Sequence, residues 1–579
     1  MAADFDLVIR GGLVADGTGA EPREADVAVA GSHIAAVGKV GGGGREELDA
    51  KGLVVTPGFV DIHTHYDGQV TWENRLVPSS SHGVTTVVMG NCGVGFAPCR
   101  PDQHDMLVRL MEGVEDIPHP VLVEGLPWTW ETYPQYLDYL AGRKYDMDIC
   151  GYVPHAPVRV YVMGQRGVDR EPATQEDLLQ MGRIVREAVE AGAMGFSTSR
   201  TFFHRSSDGK STPSFEAGEG ELMALADALK QAGTGVMQLI TDFDTPEETF
   251  AMLRRLVQRG GRPLSVSLLE GTYGPMTLRW RDVLDWAARA SEDGLPIKAQ
   301  VLSRAIGVLL GHELTLNTFY TCPSYARLAE LPFDEKIRKL RMPETRARIL
   351  AESADPDPTI VLGRLAREFD HMFLLGDPPD YEQPFEQSIA ARAQGLGITS
   401  EELAYDLMLE HDGRNNLYVT LCNYEYGSLD SSLEMMRHAG AVLGLGDGGA
   451  HCGTICDGSY PTFMLTHWVR DRRRGEHLPL AQVVKWLSHD TARAVGLKDR
   501  GVIAPGFKAD MNVLDPARLL LHAPEVVRDL PNGGRRLVQR STGYRATIVT
   551  GTIVQQDGIP TGALPGRLVR GAQDALSAP

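Results

Sequence analysis

Residues 57–68 read PGFVDIHTHYDG, and this stretch decides how the rest of the chain is interpreted. A mostly apolar run from Gly58 to Ile62 leads straight into His63, Thr64 and His65. Alternate side chains of a β-strand point to the same face, so the two imidazoles project side by side. A buried strand that ends in this way indicates either a polar core or a metal site.

The bulk composition limits the class of protein. The chain has 579 residues, a net charge of −19 and seven cysteines. Its length predicts a large domain with a smaller companion, and its charge argues against nucleic acid or an anionic membrane as a partner. There is no basic and apolar leader and no uninterrupted apolar run of about 20 residues. Few cysteines, odd in number, favour reduced thiols. We therefore predict a complete, cytoplasmic protein that acts on a small molecule.

The two ends of the chain resemble each other in pattern. Residues 4–56 consist of short β-prone runs separated by Gly-Gly, Asp-Gly and Pro-Gly turns, and the stretches 509–515 and 546–558 look alike. We predict one small β-sandwich domain that is built from residues 1–57 and 500–579, with a long insertion between its halves.

The middle of the chain, residues 58–499, alternates strand and helix patterns. Residues 174–192 have apolar residues at helical spacing, and Thr174 before them is a candidate N-cap. Thr245 begins a capping box that is predicted to open another helix at Pro246. Repeated strand–helix units predict a parallel sheet covered by helices. Their number, and the lack of a glycine-rich phosphate loop, favour an α/β fold of the closed (β/α)8 TIM-like barrel type over an open sheet. Residues around 312–440 are predicted to insert over the barrel mouth.

Active sites of such barrels gather at the carboxyl ends of the strands. The first strand ends in His63 and His65, GVTTVVMGNCG (83–93) ends near Cys92, and GLGDGGAH (444–451) contains Asp447. Two imidazoles, a thiolate and a carboxylate form a ligand set for a divalent metal such as zinc. A lone histidine or cysteine is usually structural, but the pairing and the strand-end positions favour metal here.

These motifs resemble the amidohydrolase superfamily. PGFVDIHTHYD, GNCGVGFAP and GLGDGGAH are most similar to its branch of N-acyl-D-amino-acid deacylases, the D-aminoacylases, and both ends of the chain match as well. The resemblance implies that His63 and His65 bind one metal ion and that Asp447 is shared between metal and water. It also implies that Cys92 is a metal ligand and Asp447 the catalytic acid–base.

The chain departs from this family at the fifth and sixth strands, which supply two further histidines in the relatives. The corresponding stretches GVMQLITDF (235–243) and PLSVSLLEG (263–271) contain none. Either one zinc ion is bound by the first set, or other histidines replace the missing ones and two are bound. The candidate substrate contacts, some of them also candidate ligands, are His155, Arg200, His204, Gln238 and His451.

The resulting prediction is a zinc-dependent hydrolase that cleaves the amide bond of an N-acyl amino acid, possibly of D configuration. Two alternatives remain open at this point. One is a hydrolase of a cyclic amide, an imide or a lactone, because the same activated water serves those bonds. The other is an inactive, amidohydrolase-like binding protein. The resemblance also makes a homo-oligomer a reasonable expectation.

Overall fold

The computed structural model describes residues 4–271, 279–352 and 361–571. The strands, in chain order, are β1 (Phe5–Val14), β2 (Arg23–Ala30), β3 (His33–Gly38), β4 (Gly44–Asp49), β5 (Val54–Pro57), β6 (Phe59–Asp61), β7 (Val84–Met89), β8 (Asp148–Gly151), β9 (Val153–Pro154), β10 (Gly195–Arg200), β11 (Val236–Thr241), β12 (Leu264–Ser267), β13 (Ile297–Val301), β14 (Ile306–Leu310), β15 (Met372–Leu374), β16 (Leu417–Cys422), β17 (Ala441–Leu443), β18 (Met511–Leu514), β19 (Leu520–Leu530), β20 (Gly534–Thr542), β21 (Tyr544–Val549), β22 (Thr552–Gln556) and β23 (Ile559–Pro560).

The helices follow the same order: α1 (Gln69–Trp72), α2 (His104–Glu115), α3 (His119–Gly125), α4 (Tyr133–Ala141), α5 (His155–Met163), α6 (Gln165–Val168), α7 (Gln175–Glu190), α8 (Glu219–Ala232), α9 (Pro246–Gly260), α10 (Trp280–Glu292), α11 (Pro323–Ala329), α12 (Phe333–Leu340), α13 (Pro343–Ala351), α14 (Ile389–Leu396), α15 (Ser400–Gly413), α16 (Asp430–Arg437), α17 (Tyr460–Phe463), α18 (Leu480–Lys485) and α19 (Thr491–Ala494). Two π-helical segments, Met464–Asp471 and Trp486–Asp490, extend α17 and join α18 to α19.

A closed barrel of eight parallel strands forms the large domain. Strands β6, β7 and β8 pair in order, β9 continues β8 after one residue, and β9 is followed by β10, β11, β12, β13 and β17. The barrel closes between its last and first strands, where Asp447 N–H donates to His63 O (3.0 Å) and His65 N–H donates to Gly448 O (2.8 Å). The predicted (β/α)8 fold is thereby confirmed, and His63, His65 and Asp447 lie at its seam.

Local sequence signals place the covering helices. Thr174 caps α7 by accepting a hydrogen bond from Asp177 N–H, and the predicted apolar stripe of that helix is buried. Helix α9 begins at Pro246 as expected, but the predicted capping box is wrong because Thr245 makes no side-chain cap. Its backbone ψ is 81°, against the extended value of 167° at Thr174, so Thr245 does not have the extended backbone typical of a capping residue.

The small domain is built from both ends of the chain. One sheet runs in the order β23-β22-β21-β18-β5-β1-β2-β3, with β4 paired to β1, so strands from the two termini lie next to each other. Its apolar core includes Ile9, Val27, Val55, Met511 and Val513. A charged cluster joins this domain to the barrel, because Lys508 and Arg500 reach Asp148 of β8 at 2.7 and 2.8 Å.

Three further segments pack on the barrel. Between β13 and β17 the chain forms helices and a three-stranded sheet, β14-β16-β15, with a hydrophobic core of its own. Strands β19 and β20 leave the small domain as a hairpin that reaches the barrel mouth, where Leu537 N–H donates to Cys452 O at 2.7 Å. The last described residues return to the barrel, and Leu568 pairs with Ile149 of β8. None of the helices in the described ranges has the length and apolar character that crossing a bilayer requires.

Candidate metal centre

The two histidines of the opening motif lie where the first barrel strand ends. Thr64 N–H donates to Val88 O on one side, and His65 N–H donates to Gly448 O on the other. His63 and His65 are each 1% exposed, and their ring centroids are 5.5 Å apart. The strand alternation therefore places both imidazoles on the same face, as the sequence predicts.

The thiol and the carboxylate meet these imidazoles. Cys92 Sγ is 3.3 Å from His63 Nε2, and Asp447 Oδ1 is 3.4 Å from His63 Nε2 and 3.5 Å from His65 Nε2. The ligand atoms of His63, His65 and Cys92 all lie within 4.8 Å of one another. The structure thus brings together all four predicted metal ligands, from three different strand ends.

Tight turns aim the thiol and the carboxylate into the barrel. Cys92 and Asp447 have left-handed backbones, with φ of 56° and 48°, which are uncommon for residues other than glycine. Gly90 makes the first turn possible, because a Cβ there would stand 2.3 Å from Tyr152 O. Cys92 N–H is in turn bound by Gln238 Oε1 at 3.0 Å.

Each imidazole is oriented by a second contact on its other nitrogen. His63 Nδ1 lies 2.6 Å from Gln300 Oε1, and His65 Nδ1 lies 3.1 Å from Glu115 Oε1. Gln300 Oε1 accepts a hydrogen bond, so the His63 ring carries its proton on Nδ1, whereas His65 and Glu115 form an ion pair without an aligned hydrogen bond. The His63 ring therefore presents the lone pair of Nε2 to the centre, the arrangement found in metal-binding histidines, and Nε2 of His65 faces the same centre beside Asp447.

The electrostatics of the centre favour a cation. Burial lowers the pKa of His63 to about 4, which keeps its imidazole neutral. Burial opposes a charge on His65 too, but Glu115, Asp447 and Cys92 raise its pKa well above the usual value. Burial would raise the pKa of Asp447, yet His65 and His63 hold it well below the ordinary range. The pocket thus stabilises positive charge between these anionic groups.

The residues predicted to contact the substrate divide into two groups. His451 Nε2 is 4.0 Å from Asp447 Oδ2 and 3.8 Å from Glu115 Oε2. His204 Nδ1 lies 2.9 Å from Ser199 Oγ, and burial together with the charges of His65 and His451 lowers its pKa to about 3. His451 therefore lies beside the cluster, and His204 is close enough to feel its charges.

The other three predicted contacts have structural partners in the protein. His155 uses both ring nitrogens, with Thr198 Oγ1 and Glu221 Oε1 each at 2.8 Å. Arg200 donates to Met252 Sδ of α9. Gln238 is fully buried beneath Cys92. The structure does not bring these three side chains into the histidine cluster through these contacts, and their substrate contacts stay predictions.

Sequence reasoning missed Glu115 and Gln300. Gln300 is an inward residue of strand PIKAQVLS, and its strand alternation could have identified it. Glu115 is the last residue of α2, which belongs to a long excursion after the second strand, and no local motif marks it.

The comparisons with known proteins identify the family. The sequence profile of the amidohydrolase family matches residues 46–555. The chain belongs to the amidohydrolase family. This amidohydrolase is 25% identical to the D-aminoacylase of Alcaligenes xylosoxydans xylosoxydans over 570 residues, which is 98% of this chain and 97% of that protein. It is 35% identical to the N-acyl-D-aspartate deacylase of the same organism over 204 residues, or 35% of this chain and 38% of that protein.

Solved structures support the fold. The crystal structure of a D-aminoacylase matches this amidohydrolase with a TM-score of 0.63 and 22% identity, covering 98% of this chain and 100% of that one. The N-acyl-D-glutamate deacylase of Bordetella bronchiseptica, solved with zinc and a phosphonate inhibitor, gives the same TM-score and identity. It covers 98% of this chain and 99% of that one.

Proposed function

We propose that this amidohydrolase is a zinc-dependent deacylase that hydrolyses the amide bond of an N-acyl amino acid, with a preference for the D configuration. The observation that supports this is the convergence of Cys92 Sγ and Asp447 Oδ1 on the histidine Nε2 atoms at 3.3–3.5 Å. The names of the relatives, D-aminoacylase and N-acyl-D-aspartate deacylase, supply the substrate class.

The residues of the centre fit zinc. Imidazole nitrogen, thiolate and carboxylate oxygen are its usual protein ligands, and two second contacts already direct both Nε2 atoms inward. His63, His65, Cys92 and Asp447 would therefore bind the ion. When bound, zinc acts as a Lewis acid that makes water more acidic and polarises the amide carbonyl.

Asp447 is placed to move the proton. Its Oδ1 faces the histidines, whereas its Oδ2 faces His451 and the neighbouring cleft. It takes the proton from the attacking water and returns it to the departing nitrogen, without which an amine is a poor leaving group. Because its pKa is low, Asp447 is ionised before the reaction and able to act as the base.

Asp447 lies on the wall of a narrow cleft with about 20 Å³ of free volume, which a substrate would have to widen in order to reach this carboxylate. Asp447 lies on its wall together with Trp72 and Ile117, while Leu530 and Leu537 of the β19–β20 hairpin form the opposite side. We propose that this mostly apolar cleft receives one arm of the substrate and that His204 and His451 contact its polar groups.

A substrate panel tests the proposal. Zinc-loaded protein is assayed with N-acetyl-D-amino acids, with their L enantiomers, and with cyclic imides and lactones. We expect hydrolysis of the D compounds and loss of that activity in Asp447→Asn. Preference for the cyclic substrates would instead support the alternative hydrolase, and failure on every substrate by protein that contains zinc would support a binding protein.

The setting of the enzyme is also a proposal. All seven cysteines are buried thiols, which fits a reducing compartment, and we propose a cytoplasmic enzyme. We propose further that its partner is the small-molecule substrate rather than nucleic acid or a membrane, and that it forms a homo-oligomer.

A further inference from the structure

We propose that this centre holds a single metal ion, and that Gln238 and Gln300 are positioning residues which fill the part of the barrel where a second ion would need ligands. The inference rests on the proposed zinc-dependent function. It concerns the strands opposite the histidine motif, which in this chain present amides and hydroxyls to the barrel interior.

The inward side chains of β11, β12 and β13 are poor ligands for zinc. They are Gln238, Ser265, Ser267 and Gln300, and all are buried, at 0%, 5%, 4% and 0% exposure. Neutral amide and hydroxyl oxygens suit harder cations, whereas zinc prefers imidazole, thiolate and carboxylate. A second zinc ion would therefore lack protein ligands on this side.

These four side chains are also occupied with one another and with the first ligand set. Gln300 binds His63 Nδ1 through Oε1, and its Nε2 donates to Ser265 Oγ at 2.9 Å. Gln238 accepts from Cys92 N–H through Oε1, and its Nε2 lies 3.5 Å from Ser267 Oγ. The two amides thus fix the ring of His63 and the strained turn of Cys92.

The carboxylates at the ends of these strands are committed as well. Asp242 accepts hydrogen bonds from Thr201 Oγ1 and from Phe202 N–H, and Glu270 accepts from Ser431 Oγ at 2.7 Å. Neither is directed to the histidine cluster by these contacts. In the described residues, strands five and six therefore offer no free anionic ligand.

Cobalt titration of the whole apo-protein tests the stoichiometry without using activity. The thiolate-to-cobalt absorption and the ligand-field bands are expected to saturate at about one ion per chain. Zinc content after gel filtration from excess zinc should give the same number. Saturation at two ions, or an electron paramagnetic resonance spectrum of a spin-coupled cobalt pair, would overturn the proposal.

Matched variants test the two positioning residues. Gln300→Leu removes the acceptor on His63 and should weaken cobalt binding about 10- to 100-fold with a shifted ligand-field spectrum, whereas Gln300→Glu keeps an acceptor and should restore binding. Gln238→Leu should reduce the thiolate absorption. Gln103→Leu is the control, because that buried amide binds Val160 O away from the centre and should change neither signal.

The variants and the substrate panel fail independently. Wild-type affinity and spectrum in Gln300→Leu and Gln238→Leu would refute the positioning roles, even in an active enzyme. A protein that binds one ion and hydrolyses no amide would refute the proposed function and leave the single-ion centre intact. An active deacylase with two tightly bound ions would refute the single-ion centre and leave the proposed function intact.

Discussion

Replacing Glu115 by Gln tests how the second contacts support the centre. Glu115 is 2% exposed and its Oε1 lies 3.1 Å from His65 Nδ1. The two atoms form a buried ion pair, and removing such an outer contact of a metal-binding histidine typically weakens metal binding about 10- to 100-fold. Glu115→Gln keeps the shape and removes the charge, so we expect about tenfold weaker zinc binding, or about 1.4 kcal/mol, at the lower end of that range.

Competition with a chromophoric zinc chelator at neutral pH measures this change. Glu221→Gln is the matched control, because Glu221 is 4% exposed and accepts from His155 Nε2 at 2.8 Å, in the same kind of carboxylate–histidine pair. The control should lower thermal stability and leave zinc affinity unchanged. Equal affinity in Glu115→Gln and the wild type, or equal losses in the two variants, would refute the reasoning.

Three further predictions concern catalysis, stability and the metal. Asp447→Asn should keep its zinc, as counted by elemental analysis, but lose about 10²- to 10⁴-fold in turnover because the proton carrier is gone; normal turnover would contradict its role. Burial alone would raise the pKa of Asp148, but Lys508 and Arg500 lower it to about 2. This carboxyl should therefore stabilise the fold above about pH 4, and the free energy of unfolding should fall by about 2 kcal/mol as the pH falls toward 2. Denaturant unfolding at a series of pH values measures this change, and an equal fall in Asp148→Asn would refute the assignment. Removing zinc with a chelator should lower the melting temperature and expose Cys92 to thiol reagents, and re-addition of zinc should reverse both; a Cys92→Ser variant with unchanged zinc affinity would contradict its role as a ligand.

The sequence predicted the parts of this protein that depend on local periodicity. Strand alternation alone places His63 and His65 on one face, and the strand–helix rhythm with both β-rich ends yields the barrel and the small domain. Helix α7 follows from its apolar spacing and from Thr174. These features depend on residues that are near one another in the chain, and local physical chemistry determines them.

The misses depend on contacts between distant residues. Glu115 reaches His65 from a helix about 50 residues away in the chain, and no pattern around it specifies that direction. Arg200 and His155 are of the right residue type and near strand ends, but Arg200 binds Met252 of α9 and His155 binds Glu221 of α8. Strand-end position therefore identified a list of candidates, and only the packing of neighbouring elements separated site residues from structural ones.

The pairing of the last described residues with β8 has a consequence for synthesis. Ile149 of β8 pairs with Leu568, and Asp148 forms ion pairs with Arg500 and Lys508. More than 350 residues must be added after β8 before these partners have been synthesised. At about 5–20 residues per second, a ribosome needs roughly 20–80 seconds to cover that length. Throughout that interval the nascent barrel holds an unneutralised carboxyl and an unfinished sheet edge. We therefore expect that folding of the barrel depends on chaperones until residues 500–571 have been made. A tag that disturbs the pairing of Leu568 should impair folding, although this residue is far in sequence from the metal centre.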